Sequence, residues 1–154
     1  MKNVLLIVLL LCSLGCFSQR KAFKNITEKD GLIGIGTKTP DEMLTVKGKI
    51  HTQEVLVDLN GAVAPDYVFD HYFEGTSEEK PDYDMLSLEE TEAYIKEHRH
   101  LPGVPSARTI EQQGLSLKQM NLLLLEKIEE LTLYTLEQQK EIDALKEKVS
   151  QQED

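Results

Sequence analysis

The chain has 154 residues, a formal net charge of −10, 6% aromatic residues and no Trp. An acidic chain of this kind lacks the basic footprint that general nucleic-acid binding needs. So few rings in so short a chain exclude a large self-contained core and make oligomerisation the expected source of added stability.

Residues 1–18 read as a secretory signal. Lys2 precedes an unbroken apolar run from Val4 to Leu11, which continues to Phe17 with small interruptions. That run is too short to span a bilayer. The preferred processing route is cleavage after Ser18, leaving Gln19 as the mature start. The alternative is lipidation of Cys16 behind Ser13-Leu14-Gly15, although Ser13 stands where such signals usually carry an apolar residue. Either route predicts a secreted or cell-surface protein. Cys12 and Cys16 both fall in the signal, so a chain starting at Gln19 has no thiol. Without Lys2 it carries 16 basic and 27 acidic residues, a net of −11.

From Arg20 to Asp30 the chain is polar and aperiodic and reads as a mobile lead-in, with a weak glycosylation sequon at Asn25-Ile26-Thr27. In Gly31–Thr37 (GLIGIGT), Ile33 and Ile35 alternate with Gly34 and Gly36. This predicts a short strand whose glycines admit a second backbone. A phosphate loop is excluded, because the Gly-Lys-Ser/Thr ending and the strand–loop–helix context are missing. Thr39-Pro40-Asp41-Glu42 has the marks of a single helical turn. A strand should follow, with Leu44, Val46, Gly48 and Ile50 on one face. Val55, Val57 and Leu59 have the opposite parity, which predicts a bulge or corner near Thr52–Glu54 and a second strand. Two such strands cannot make an independent sheet. They call for strands from other copies or a covering helix.

Asn60-Gly61 is a turn signal. Ala64–Tyr83 reads as irregular, and some of its cluster Tyr67, Val68, Phe69, Tyr72 and Phe73 are expected to anchor the globular part. The capping box Ser87-Leu88-Glu89-Glu90 predicts a helix to about His98, with Leu88, Thr91, Tyr94 and Ile95 as its buried stripe. Leu101–Pro105 should be an extended link. Thr109–Gln113 should be a short helical turn closed by Gly114. Ser116 and Gln119 form a second capping box.

The run from Ser116 to Ser150 has no Pro or Gly. It carries a seven-residue repeat, with Asn121, Ile128, Thr135, Ile142 and Val149 at a, and Leu117, Leu124, Leu131, Gln138 and Leu145 at d. A period of 3.5 keeps one stripe facing a partner helix, so these ten residues are the predicted oligomerisation seam. Glu141 at g would face Lys146 at e of a parallel neighbour. Thr135 and Gln138 form polar layers that restrict register. Between Leu115 and Leu125 the helix is apolar nearly all round, so the preceding segment or further partners should cover it. Repeat pattern alone leaves dimer and trimer open.

Signals for chemistry are weak. His98 and His100 have no third metal ligand close in sequence, and a helix C-terminus already favours His. Asp66, Asp70, His71, Glu74, Asp82 and Asp84 do not follow a calcium-loop spacing. No nucleophile motif is present. The expectation is a non-enzymatic chain without cofactor or metal. The predicted class is α+β, with short N-terminal strands, a small mixed head and a long C-terminal coiled-coil helix. Its predicted segments are 1–18, 19–30, 31–63, 64–115 and 116–150.

Gly34–Pro40 (GIGTKTP) followed by Leu44–Ile50 (LTVKGKI) resembles the repeat-like segment of phage tail-fibre and bacterial surface proteins. Asp66–Phe69, Ser87–Glu90, His100–Ser106 and Met120–Tyr134 resemble the C-terminal part of small secreted tail-fibre-like proteins of Bacteroidetes. Together these segments span about Gly31 to Lys140. The resemblance implies a parallel trimer in which intertwined β-structure leads into a helical trimerisation region. Some larger relatives end in a self-cleaving intramolecular chaperone of the endosialidase type, whose catalytic Ser has no counterpart here. The expected function is structural or adhesive, with self-association as the main partnership and an unidentified cell-surface or glycan ligand. The alternatives are an inactive chaperone or trimerisation module, and a ligand-binding lipoprotein using Tyr67–Phe73.

Overall fold

The structure, a computed structural model, describes residues 23–153. The signal predicted for residues 1–18, with its predicted processing sites, lies outside the described residues. Among the described residues the architecture is α+β, with one three-stranded mixed sheet and four helices. It divides into two compact units, one ending at Val55 and the other starting at Leu56.

The first unit is the sheet: β1 (Ile26–Lys29), β2 (Leu32–Ile35) and β3 (Leu44–Val46), in that order. β1 and β2 form an antiparallel hairpin with Lys29 opposite Leu32. Asp30 and Gly31, both at positive φ (54° and 81°), make its two-residue turn, and Asp-Gly is a favoured pair for such a turn. The Arg20–Asp30 lead-in therefore contains a strand, contrary to the sequence expectation. β3 pairs with β2 in parallel, with Ile33 opposite Leu44.

The glycines of β2 admit a second backbone, as the sequence predicts. A Cβ on Gly34 would lie 2.7 Å from the Thr37 carbonyl oxygen, and one on Gly36 would lie 2.9 Å from the Lys47 carbonyl oxygen. Gly36 also has φ of +73°.

Three expectations for this region are corrected. Thr39–Glu42 forms no helical turn. The backbone N–H groups of Asp41 and Glu42 instead donate to Thr45 Oγ1 at 3.1 Å each, and Thr45 Oγ1 donates to Asp41 Oδ1 at 2.8 Å. That bond holds the Asp41 carboxyl below its ordinary range. Thr45 is therefore buried while Leu44 is exposed, the reverse of the predicted face. Finally, β3 ends at Val46, and Val55–Leu59 forms no strand. Its apolar residues Val55, Leu56, Val57 and Leu59 are exposed. A strand needs a ladder partner, and the described residues provide none for this run.

The second unit contains α1 (Tyr67–Glu74), α2 (Leu88–His98), α3 (Ala107–Gln113) and α4 (Leu117–Glu153). α1 lies inside the stretch expected to be irregular. Gly75, in the left-handed conformation, closes it by donating its N–H to the His71 carbonyl at 2.9 Å. α2 starts at the predicted capping box, with both Ser87–Glu90 bonds present. Arg99, at φ 62°, ends it. No α2 residue is fully buried; of the expected stripe, Thr91 and Tyr94 are partly buried and Leu88 and Ile95 are exposed. Ser106 caps α3 through the Thr109 N–H, and Gly114 closes it. Ser116 accepts from the Gln119 N–H at 3.4 Å to open α4. The core of this unit is Tyr67, Val68, Tyr83 and Leu133, with Phe69, Tyr72 and Met85 packed against it. The aromatic segment thus anchors the unit as predicted, except for Phe73, which is exposed.

Candidate functional site

The long helix α4 has two faces. Its contacts with the rest of the second unit centre on the b, c and f positions of the repeat, with Tyr134 at g and Lys118 at e adding one hydrogen bond each. Leu133 is fully buried, and Glu126 and Glu129 are each only 6% exposed. At 100° per residue, Glu126 and Leu133 lie roughly 140–160° round the axis from Ile128 and Leu131. The predicted seam is on that opposite side. Its apolar members Leu117, Leu124, Ile128, Leu131, Ile142, Leu145 and Val149 are between 46% and 63% exposed. Asn121, Thr135 and Gln138 are exposed as well. The head therefore covers the helix from behind and leaves the seam open. The nearly all-round apolar segment is only partly enclosed, because Leu124 and Leu125 remain outside. From Thr135 to Gln152 every residue is exposed.

Polar chemistry concentrates on the covered face. Glu126 Oε2 accepts from the Tyr67 hydroxyl and from Lys80 Nζ at 3.0 Å. Lys80 Nζ also donates to the Tyr67 oxygen at 3.0 Å and lies 4.4 Å from the Tyr67 ring centroid, a cation–π contact. Lys127 pairs with Glu126 Oε1 at 2.9 Å and with Glu130 Oε1 at 2.8 Å. The Tyr83 hydroxyl donates to Glu130 at 2.9 Å. Burial pushes the Glu126 carboxyl up, but the bonds from Tyr67, Lys127 and Lys80 outweigh it and hold the group below its ordinary value. Burial, with Glu130 next, pushes the Tyr83 phenol well up. Glu129 is the exception. Its Oε2 has no partner among the described residues, and burial, with Asp66 and Glu126 adding like charge, raises its carboxyl.

Two clefts of about 540 and 590 Å³ flank this network and share Lys80, Gly103 and Glu126. The network is internally paired, which suits a structural clamp better than a reacting centre. Sequence reading missed it, because Tyr67 and Lys80 stand 59 and 46 residues from Glu126. The available signal was a set of acids interrupting a leucine-rich helix on one face.

His98 and His100 gather round Tyr94, with ring centroids 4.2 and 5.6 Å from it. Among the described residues no group of three or more His, Cys, Asp or Glu side chains could hold a metal ion. No helix among them is long and apolar enough to cross a membrane. No protein-family model, curated protein or solved structure matches this chain.

Proposed function

We propose that this chain is a secreted or cell-surface structural protein of the adhesive type, which self-assembles in parallel through α4. The observation that carries the reading is the open seam. An apolar stripe with a 3.5-residue period runs along the helix on the side opposite the buried Glu126 and Leu133. Burying a half-exposed Leu, Ile or Val contributes on the order of 1 kcal/mol, and the stripe offers seven such side chains. The exposed half of α4 points the same way. An isolated helix of that length with no tertiary cover is marginal in water, and a partner helix supplies the cover. The tail-fibre resemblance supports three chains, and Glu141 facing Lys146 supports parallel packing. The function is then multivalency, because one particle carries several copies of each unit and gains avidity for a surface ligand.

The test is the mass of the assembly by light scattering. Ile128→Asp and Leu131→Asp each place a charge in the seam without touching the buried face, and each should give a monomer from an oligomeric wild type. Equal masses for wild type and variants would overturn the seam assignment.

A further inference from the structure

We propose that the groove beside the seam receives the α4 helix of a second copy of this chain, so that the head of one copy clamps its neighbour's helix from outside. This rests on the self-assembly reading and adds a location and an orientation for the neighbour.

The groove is the 590 Å³ cleft on the g side of the helix, where Lys127 and Tyr134 lie. Its inner wall is the seam, through Leu124, Ile128 and Leu131; its outer wall includes Leu88 and Leu101. Both outer residues are exposed. The wall follows the helix upward. Gly103, two residues beyond Leu101, lies against Leu123 and Glu126. The Tyr134 hydroxyl donates to the Leu86 carbonyl. Leu101 therefore stands at the level of Leu123–Glu126, and Leu88 near Leu131–Tyr134.

A second copy of α4 fits this site in several respects. In a parallel coil the g side of one helix faces the e side of the next. The e residue at the level of Leu101 is Leu125, an exposed leucine belonging neither to the a/d seam nor to the buried face. In register, Leu125 of one copy meets the apolar wall of the other. Thr132, the next e residue, reaches the level of Leu88. Glu141 and Lys146 then oppose each other higher up, and the polar layers Thr135 and Gln138 meet their own counterparts. An antiparallel neighbour would instead bring the Lys146–Lys148 end into the apolar groove. Area agrees. A helix about 55 Å long and 10–12 Å across offers roughly 500–600 Å² along one side, short of the roughly 800 Å² per partner of a stable interface. The outer wall adds contact area beyond that face.

The test is disulfide trapping in the full chain with Cys12→Ser and Cys16→Ser. Leu101→Cys is combined with Leu125→Cys and oxidised, and products are resolved without reductant. Leu125 lies roughly 160° round the axis from Lys127, on the far side of the helix from Leu101 of its own copy. A bond therefore reports two copies. The expected result is a covalent band at a multiple of the chain mass, abolished by adding Ile128→Asp. An oligomer of unchanged mass without that band would overturn the clamp and leave the seam standing. So would a band from Leu101→Cys with Lys146→Cys in its place. A monomeric wild type would overturn both.

Discussion

Glu126 and Glu129 sit three residues apart on the same covered face and act in opposite directions. Glu126 has a partner for each oxygen. Removing it by Glu126→Ala leaves Lys127 largely buried beside one carboxylate and Tyr67 without its acceptor. The expected loss is about 3 kcal/mol, read as a lower midpoint in urea. Its folded pKa is depressed, so its contribution is complete above the ordinary value near 4.5. It is lost as the pH falls through the folded value. Glu129 has a raised folded pKa, so ionising it opposes folding. Stability falls as the pH climbs from near 4.5 to the raised folded value and stays lower above it. Glu129→Gln should therefore stabilise the protein at pH 7, by about 1–2 kcal/mol on the usual cost of an unpartnered buried group, with no gain well below pH 4.5. Gly36 gives a residue-scale test of the sheet. Gly36→Ala should cost about 1–3 kcal/mol through a left-handed backbone and contact with the Lys47 carbonyl; loss of β-sheet amide protection would report it.

The elements differ in how they are held. α1 to α3 are short and depend on caps and neighbours, whereas α4 has 37 residues and is supported by its own chain only up to about Tyr134. The rest must be ordered by assembly if it is to be a stable helix. Dilution below the dissociation constant should then reduce helical circular dichroism by about half of the α4 contribution, since an unsupported helix of this length frays. Amide exchange should quicken from Thr135 onward while the core residues Tyr67 and Leu133 stay protected. Uniform exchange along α4 at every concentration would contradict this. Thr132 and Thr135 donate to the Ile128 and Leu131 carbonyls at 2.8 Å each. That satisfies the hydroxyls without a partner chain.

At the scale of the whole molecule, the two units make a direct prediction. A chain of residues 56–154 contains the four helices and the hydrophobic core found among the described residues. It should fold and assemble with the same number of copies as the longer chain, checked by helical content and light scattering.

What was legible in the sequence follows from locality. Ser87–Glu90 and Ser116 are local signals, and the helices start at them. The seam needs only its period to be seen. β1 was missed because Ile26 is its only apolar residue, although Asp30-Gly31 marked the turn. α1 was missed because its aromatics are poor helix formers whose packing, not propensity, decides their state. Val55–Leu59 shows the converse case, an alternating pattern without a ladder partner among the described residues. The Glu126 network joins residues from three distant segments, and nothing local distinguishes its acids from solvated ones.

The tyrosine anchors also decide how this protein will look to a spectrometer. With no Trp and five Tyr, its near-ultraviolet absorption and emission come from tyrosine. All five, at 67, 72, 83, 94 and 134, lie in the second unit. Tyr67 and Tyr83 donate to carboxylates of α4, and Tyr134 donates to the Leu86 carbonyl. Their optical signal therefore follows docking of the helix onto the head and is blind to the sheet, whose unfolding has to be followed through the backbone.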